Sequence, residues 1–201
     1  MTEKTVIIIP ARYDSSRFKG KPLALLTGAT GAKKSLIQRS WETACDVPGV
    51  DGIFVATDDK RIAQAVHEFG GKVIMTSGNC RNGTERVAEA FHSLKTPPDI
   101  IVNLQGDAPL TPPWFITDLI EEMRRDQDVQ MATPVLQCDG HTLRMFLEDR
   151  RNCQVGGTTA VFDRNWDALY FSKEVLPFTD KVYAPEASTP AYHHVGAYAY
   201  R

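Results

Sequence analysis

The sequence predicts an α/β fold in which a mostly parallel central sheet is flanked by helices and followed by a smaller antiparallel portion. Short apolar runs without polar interruption, such as residues 6–9, are rich in β-branched side chains and typical of strands buried on both faces. Amphipathic helical segments alternate with such runs over residues 1–135, which indicates βαβ units and a doubly wound sheet. Residues 136–201 read as shorter elements with a hairpin, which favours the antiparallel addition.

The composition is ordinary for a globular protein and excludes several classes of function. Of 201 residues, 42% are hydrophobic and 24% are charged, and this length favours a single domain spanning residues 1–201. The net charge of −2 gives no global electrostatic reason to bind nucleic acid. No apolar run approaches the ~20 residues of a membrane-spanning helix, so we expect no membrane partner.

Cysteine usage and the N-terminus both favour a cytoplasmic location. The four cysteines are far apart, with no CxxC pair and no histidines at ligand spacing, and are expected to be free thiols: Cys45, Cys80, Cys138 and Cys153. The first residues run directly into a predicted strand and offer no signal peptide.

The first strand, residues 6–9, is expected to stop at Pro10. Further on, residues 27–35 superficially resemble a phosphate-binding P-loop. Lys33 stands where that motif requires a glycine before the lysine and serine, so we predict a flexible turn instead. Ser35 then caps a helix whose apolar residues recur at helical spacing.

Two further strands, residues 52–57 and 72–75, flank a helix that Asp58 is expected to cap and that ends near residue 69, before two glycines. The same alternation then continues to residue 135. Its predicted elements are a polar loop at 76–83, a helix from Thr84, a buried strand at 99–104, a helix at 113–125 and a strand at 129–135.

Beyond residue 135 the periodicity weakens and turn signals become frequent. An Asp-Gly pair predicts a turn, and two short β-like runs joined by Asp-Arg-Asn predict a hairpin. The expected elements are a turn at 139–140, a loop at 149–152, strands at 158–162 and 168–172, a long loop at 177–192 and a final strand at 193–200.

The loop after the first strand carries the strongest local signal for a ligand. Cations, serines and a glycine crowd together at the carboxyl end of a buried strand, where such groups form an anion cradle. They are Arg12, Ser15, Ser16, Arg17, Lys19, Gly20 and Lys21. We predict that the anion is a phosphate chain. No G-x-G-x-x-G follows the strand, which disfavours a dinucleotide oxidoreductase.

A second site is predicted at residues 105–107, Gln-Gly-Asp, directly after the buried strand at 99–104. Parallel strands bring such ends to the same edge of the sheet, so Asp107 is expected to face the phosphate cradle. A carboxylate facing phosphates is suited to hold Mg²⁺, which shares its oxygen ligands with phosphates. We therefore expect Mg²⁺ as the cofactor.

Six motifs, in order, give the chain a specific resemblance to a known family. They are IPARYDSSR at 9–17 with GKP at 20–22, VATD at 55–58, NGTER at 82–86, VNLQGD at 102–107, ALYFS at 168–172 and HVGAYAYR at 194–201. Together they resemble the 3-deoxy-manno-octulosonate cytidylyltransferase (CMP-Kdo synthetase) family. The resemblance covers nearly the whole chain.

The resemblance implies a Rossmann-like nucleotidyltransferase fold and transfer of CMP from CTP to 3-deoxy-manno-octulosonate (Kdo), an acidic eight-carbon sugar. The products would be CMP-Kdo, for lipopolysaccharide or capsule synthesis, and pyrophosphate. It further implies that residues 1–135 bind the nucleotide, whereas residues 136–201 bind the sugar and form a homodimer.

The resemblance also assigns roles by matching position. The phosphates of CTP would be held by Arg12, Ser15, Arg17 and Lys21, and the cytosine and ribose would be enclosed by Ala11, Arg12, Asn82, Gly83 and Thr84. The sugar acid would be contacted by Gln105, Lys173, His194 and Tyr198. Asp107 would ligate Mg²⁺, and Arg12, Lys21 and Asp107 would carry the catalysis.

Departures from the family pattern leave two alternatives open. Ala108 removes a carboxylate near the metal, while Lys173, in place of arginine, and residues 154–162 alter the sugar side. The substrate is therefore Kdo or a related sugar acid of the 8-amino-Kdo or sialic-acid type. Family members also continue past the position of Arg201 into a segment with a second metal-binding aspartate. If that second aspartate is missing, the chain is expected to bind CTP without turnover, which is the other alternative.

Overall fold

The computed structural model describes residues 3–14 and 18–201. These residues form two compact units. Unit 1 comprises the described residues up to Ala132 together with Gly196–Arg201, and unit 2 comprises Thr133–Val195. No helix among the described residues is long and apolar enough to cross a bilayer.

Strands alternate with α-helices along much of the chain. In chain order, the strands are β1 (Thr5–Ala11), β2 (Leu25–Thr27), β3 (Lys33–Ser35), β4 (Gly52–Thr57), β5 (Lys72–Met75), β6 (Ile100–Leu104), β7 (Met131–Ala132), β8 (Val135–Asp139), β9 (Thr159–Phe162), β10 (Ala168–Ser172), β11 (Ser188–His194) and β12 (Ala197–Tyr200). The α-helices are α1 (Leu36–Cys45), α2 (Lys60–Glu68), α3 (Gly83–His92), α4 (Pro113–Arg125) and α5 (Gly140–Arg151).

Unit 1 is built on a mostly parallel sheet, as the sequence predicts. Its strand order is β5-β4-β1-β6-β12-β7, and the first four strands run parallel to one another. Strand β12 enters antiparallel between β6 and β7. Strand β1 therefore lies inside the sheet, where its uninterrupted apolar run is buried on both faces.

Helices cover both faces of this sheet, which confirms the doubly wound prediction. On one face, Ile7 and Ile9 pack with apolar residues of α1, α2 and α4. On the other, Val6 and Ile8 pack with Val87 of α3. Side chains of the strands alternate between two faces that helices cover. A ligand can therefore reach the sheet at the carboxyl ends of its strands.

Two sequence predictions in unit 1 are wrong in detail. Strand β1 continues through Pro10 to Ala11, because its pairing with β6 ends at Ile8 and the proline is paired only with β4. Helix α2 is capped by Asp59, whose carboxylate accepts from the Arg61 N–H at 2.8 Å, and not by Asp58.

The turn predicted at 27–35 is confirmed at 28–32, but both ends of that range are strands. Strands β2 and β3 pair as an antiparallel hairpin around this segment, and the N–H of Gly28 donates to the Ala32 carbonyl at 2.9 Å. The hairpin is short and exposed on β2, so its residues carry no apolar alternation that would reveal it. Helix α1 follows as predicted, with Ser35 accepting from the N–H of Gln38.

Unit 2 is an antiparallel sheet, β10-β9-β11-β8, with α5 packed on one face. Its core is small and comprises Cys138, Leu143 and Ala191, with partly buried neighbours around them. The predicted hairpin is confirmed, since β9 and β10 pair antiparallel. All four cysteines are free thiols, as predicted.

Five predictions on the later part of the chain are wrong, two of them because the loops expected at 149–152 and 177–192 overlap α5 and β11. The expected turn at 139–140 begins α5, because the Asp139 carboxylate accepts from the Thr142 N–H at 2.7 Å and caps a helix. The expected strand at 129–135 is divided into β7 and β8, which belong to different sheets and flank Pro134. The expected strand at 193–200 is likewise divided, between β11 of unit 2 and β12 of unit 1.

Candidate active site

A cleft of about 270 Å³ opens in unit 1 at the carboxyl edge of the parallel strands. The end of β1, the turn at Lys21, the N-terminus of α3 and the residues after β6 surround it. This is the edge at which open α/β sheets bind ligands. The residues assigned from the sequence that line it are Ala11, Arg12, Lys21, Asn82, Gly83, Gln105 and Asp107.

The other assigned residues lie elsewhere. Ser15 and Arg17 lie outside the described residues. Thr84 is in the first turn of α3 but is not part of the cleft lining, and Tyr198 lies on β12 of unit 1. Lys173 and His194 belong to unit 2.

A glycine in the left-handed conformation directly precedes Lys21 at the cleft. Gly20 has φ +73°, and its N–H donates to the Tyr13 carbonyl at 2.8 Å. The Tyr13 ring is in turn covered by the guanidinium of Arg61, 3.3 Å from the ring centroid. Lys21 follows Gly20 directly and lies at the cleft wall.

Lys21 and Asp107 meet in this cleft, although they are 86 positions apart in the sequence. The Lys21 Nζ donates to the Asp107 Oδ2 at 2.6 Å, and the two side chains remain 37% and 49% exposed. The charges are thus paired but open to solvent, where such a pair contributes at most about 1 kcal/mol to stability. Both side chains are therefore available to an arriving ligand.

The position of Asp107 depends on Gly106. A Cβ at residue 106 would lie 2.8 Å from the carbonyl oxygen of Pro10, so only glycine allows β1 to approach this closely. The buried hydroxyl of Ser40 donates to the Gly106 carbonyl at 3.1 Å. Strand β1 and helix α1 thus fix the backbone that carries the carboxylate.

The N-terminus of α3 forms the opposite wall. Asn82 caps the helix, its Oδ1 accepting from the Glu85 N–H at 2.9 Å. Gly83 leaves room for its neighbours, because a Cβ there would lie 3.2 Å from Pro10 Cγ and 3.3 Å from Gln105 Oε1. The positive end of the helix dipole at this wall favours an anionic ligand.

Arg86 is a cleft residue to which sequence reasoning assigned no role. Its side chain is only 3% exposed, lies 3.3 Å from the Asp58 carboxylate and donates to the hydroxyl of Thr76. It therefore joins α3 to the segments after β4 and β5. Local sequence does not reveal this role, because Asp58 and Thr76 are 28 and 10 positions away from Arg86 in the sequence.

Gln105 and Tyr198 lie close to the end of β6. The Gln105 Nε2 donates to the Asn103 Oδ1 at 2.9 Å, and Tyr198 on β12 stands opposite Asn103. The Tyr198 ring stacks on Tyr200 with centroids 6.1 Å apart. Burial, followed by the neighbouring Tyr200, raises the pKa of Tyr198 above its usual value.

In unit 2, Lys173 and His194 contact different polar neighbours. The Lys173 Nζ donates to the Thr158 hydroxyl at 2.7 Å, and the His194 Nε2 lies 2.8 Å from the Thr133 hydroxyl. Burial lowers the pKa of His194, and the neighbouring His193 and then Lys173 lower it further. His194 is thereby kept neutral near pH 7, when it can accept or donate a hydrogen bond.

Comparison with known families shows the family to which this chain belongs. The family model described as "Cytidylyltransferase" matches residues 6–201, which include every residue of the cleft lining. The chain belongs to the cytidylyltransferase family. Its nucleotidyltransferase fold and enzyme class follow from this membership.

Curated relatives of this cytidylyltransferase are similar over almost its whole length. A 3-deoxy-manno-octulosonate cytidylyltransferase of Maricaulis maris is 47% identical over 194 residues, which are 96% of this chain and 72% of the relative. An 8-amino-3,8-dideoxy-manno-octulosonate cytidylyltransferase of Shewanella amazonensis is 41% identical over 96% of this chain and 73% of the relative.

The cytidylyltransferase is also similar to a solved structure, that of CMP:2-keto-3-deoxy-manno-octonic acid synthetase complexed with CTP. The two share 39% identity and a TM-score of 0.81, over 98% of this chain and 74% of the other. This similarity supports the fold described above.

Proposed function

We propose that this cytidylyltransferase transfers a cytidylyl group from CTP to 3-deoxy-manno-octulosonate and releases pyrophosphate. The observation that carries the proposal is the meeting of Lys21 and Asp107 in a cleft walled by the N-terminus of α3. A cation, a carboxylate and a helix N-terminus at one edge suit a metal-bound nucleoside triphosphate. The names of the relatives supply the acceptor sugar.

Within the cleft, Arg12 and Lys21 would bind the phosphates of CTP. The backbone at Ala11 and the capped start of α3 at Asn82 and Gly83 would enclose the cytosine and ribose. Arg12 is exposed and Lys21 is partly exposed, so both side chains are accessible to a ligand in the cleft. The roles of Ser15, Arg17 and Thr84 stay predictions from the sequence.

The residues of the cleft fit Mg²⁺ when phosphates share in its coordination. Asp107 is the one carboxylate among the described lining residues, and no cluster of three or more ligand side chains occurs in the described part of the chain. Mg²⁺ commonly binds through one or two carboxylates together with substrate phosphates and water. Asp107 would hold it, and the ion would supply charge neutralisation at the phosphate oxygens.

The reaction requires placement and charge more than covalent help. The anomeric hydroxyl oxygen of the sugar forms a bond to the α-phosphorus as the bond from that phosphorus to pyrophosphate breaks, and the hydroxyl proton passes to solvent water. Arg12 and Lys21 would offset the charge that gathers on the phosphate oxygens and on the leaving pyrophosphate. The cleft walls would align the two reacting groups.

On the sugar side, Gln105 and Tyr198 offer an amide and a hydroxyl from neighbouring strands of unit 1. We propose that both bind the sugar acid. The assignment of Lys173 and His194 to the same sugar stays a prediction from the resemblance, which substitution of each residue tests.

The deciding experiment is pyrophosphate release from CTP and Mg²⁺, with and without 3-deoxy-manno-octulosonate. Sugar-dependent release is the expected result. Intact CTP binding without release from any sugar would show a CTP-binding module without turnover, and absence of CTP binding would contradict the nucleotide site itself.

A second candidate substrate is the 8-amino analogue, because a relative of that name is 41% identical and Lys173 departs from the family's arginine. The greater identity of the Maricaulis maris relative, 47%, favours the unsubstituted sugar. A comparison of kcat/KM for Kdo, 8-amino-Kdo and a sialic acid distinguishes them, and we expect the largest value for Kdo.

The homodimer stays a proposal, which the surface of unit 2 supports. Leu136, Trp166 and Leu169 are 43%, 65% and 66% exposed, and exposed apolar side chains of this kind mark interaction sites. Analytical ultracentrifugation measures the oligomeric state directly. The cytoplasmic location and the lipopolysaccharide or capsule pathway stay predictions.

A further inference from the structure

Strand β6 contains a polar residue that neither the fold nor the nucleotide site explains. Asn103 is completely buried, between the apolar residues Val102 and Leu104, which are buried as well. Asparagine is depleted in strands, and a buried amide is unfavourable unless its hydrogen bonds are made. A valine or leucine would suit the strand better, so the amide of Asn103 calls for an explanation in what it contacts.

The amide of Asn103 makes one hydrogen bond within the described residues. Its Oδ1 accepts from the Nε2 of Gln105 at 2.9 Å, whereas its own Nδ2 has no hydrogen-bond partner among the described residues. Residues 103 and 105 are two positions apart, so both side chains leave the same face of the strand. Across the sheet, Asn103 stands opposite Ile8 on one side and Tyr198 on the other.

This contact determines how Gln105 presents its amide. With Nε2 held by Asn103, the Oε1 of Gln105 lies beside Gly83, 3.3 Å from where a Cβ would stand. A free glutamine samples several rotamers and both amide orientations, so holding it in one arrangement lowers the entropy lost when a ligand binds. Asn103 itself does not line the cleft, and it reaches the cleft only through its contact with Gln105.

We propose that Asn103 is a positioning residue that fixes the side-chain amide of Gln105 for the acceptor sugar. The proposal rests on the function proposed above, because it takes Gln105 as a sugar contact. Asn103 gives up the packing of an apolar strand residue for a polar contact with Gln105, the one hydrogen-bond partner of its side chain among the described residues. Its effect is therefore expected on the sugar and not on CTP.

A double-mutant cycle tests the proposal with Asn103→Leu, which is apolar and of similar size, and Gln105→Ala. KM and kcat are measured for Kdo and for CTP by pyrophosphate release. Asn103→Leu is expected to raise the KM for Kdo about fivefold to tenfold with the KM for CTP unchanged. In the Gln105→Ala background the same substitution is expected to have no further effect.

A conservative variant separates positioning from packing. Asn103→Asp keeps an acceptor oxygen for Gln105 Nε2, so its KM for Kdo is expected to stay within about twofold of the unsubstituted protein. Thermal unfolding of every variant shows which of them fold. A KM for Kdo that stays normal in Asn103→Asp but rises in Asn103→Leu supports a role of Asn103 through its hydrogen bond.

Two results overturn the proposal in distinguishable ways. Equal effects of Asn103→Leu with and without Gln105 would show a structural role alone. A normal KM for Kdo in the Gln105→Ala variant would show that Gln105 does not contact the sugar. Failure of the proposed function looks different, since the unsubstituted protein would then release no pyrophosphate with Kdo.

Discussion

At the scale of single residues, we propose that the pair formed by Lys21 and Asp107 takes part in the chemistry of the cleft. Lys21→Met removes the ammonium next to the carboxylate and is expected to lower kcat for pyrophosphate release about 100-fold, because one lost charge-stabilising donor has an effect of this order. Lys95→Met is the matched control. Lys95 is an exposed cation of unit 1 outside the cleft lining, so its loss is expected to leave kcat within about twofold. Equal losses in both variants would contradict a specific role for Lys21.

The same pair predicts how the cleft binds a divalent ion without nucleotide. The Lys21 ammonium lies 2.6 Å from Asp107 Oδ2 and competes with any metal for that oxygen. Lys21→Met is therefore expected to bind Mn²⁺ about twofold to fivefold more tightly, since an exposed pair contributes up to about 1 kcal/mol. Electron paramagnetic resonance of free Mn²⁺ measures this without turnover, and Asp107→Asn is the variant expected to bind least. Weaker Mn²⁺ binding by Lys21→Met would argue against Asp107 as the ligand.

His193 makes the stability of unit 2 depend on pH. Burial, and then the charge of Lys173, lower the pKa of His193 below its usual 6.5. Above pH 6.5 the ring is neutral in both the folded and the unfolded state. Below it the unfolded state binds the proton more readily, so the free energy of unfolding falls as the pH falls toward the folded-state pKa.

His193→Gln is therefore expected to reduce the loss of stability between pH 7.5 and pH 5.5. Urea unfolding at the two pH values measures it, and His67→Gln in unit 1 is a control whose ring is exposed. An identical pH dependence in the His193→Gln variant and the unsubstituted protein would contradict the assignment.

At the scale of elements, helix caps separate stability from ligand binding. Asn82 caps α3 at the cleft, and Asp139 caps α5 in unit 2. Replacing either by alanine is expected to lower the free energy of unfolding by about 1 kcal/mol. Only Asn82→Ala is expected to raise the KM for CTP, because only α3 borders the cleft. Chemical denaturation and steady-state kinetics together test this, and a raised KM for CTP in Asp139→Ala would refute it.

Local sequence was sufficient to predict an element where the residues that begin, form and end that element carry clear signals. The strands at 52–57 and 72–75 and the helix at 113–125 agree with the structure to the residue, since apolar runs or helical periodicity are bounded there by glycine, proline or a change in polarity. Helix α5 was missed because, among its side chains, only Leu143 is fully buried, which leaves little periodicity to detect. Its Asp-Gly start is equally typical of a turn and of a helix cap.

The same limit applies to the cleft. That Lys21 and Asp107 share one edge of the sheet could be predicted, because each follows a buried strand and parallel strands end at one edge. The contacts of Asn103 and Arg86 could not. Both sets of contacts depend on which elements pack next to each other in the fold. Asparagine and arginine side chains are, moreover, most often exposed.

At the scale of the whole molecule, the chain leaves unit 1 after Ala132 and returns to it at Gly196. The apolar alternation of residues 193–200 continues through the point of return, so periodicity alone predicts one strand where the structure has two. Which sheet each half joins is a property of pairing over long sequence separations, and a local pattern does not encode it.

The return strand makes unit 1 depend on its last residues. Strand β12 separates β6 from β7, and its Ala197 and Ala199 are completely buried. Arg201 pairs with Glu3 and donates to the Met123 carbonyl. Deletion of residues 196–201 removes the only pairing partner that β7 has among the described strands and uncovers one side of β6.

We expect this deletion to lower the free energy of unfolding by more than about 4 kcal/mol, because it opens the core and leaves strand hydrogen bonds unpaired. Arg201→Ala, which keeps the strand and loses only the ion pair with Glu3 and the hydrogen bonds of the Arg201 side chain, is the matched control and is expected to lower the free energy of unfolding by about 1–3 kcal/mol. Urea unfolding followed by circular dichroism compares the two. A deletion no more destabilising than Arg201→Ala would show that β12 is dispensable and that unit 1 is held by its parallel strands alone.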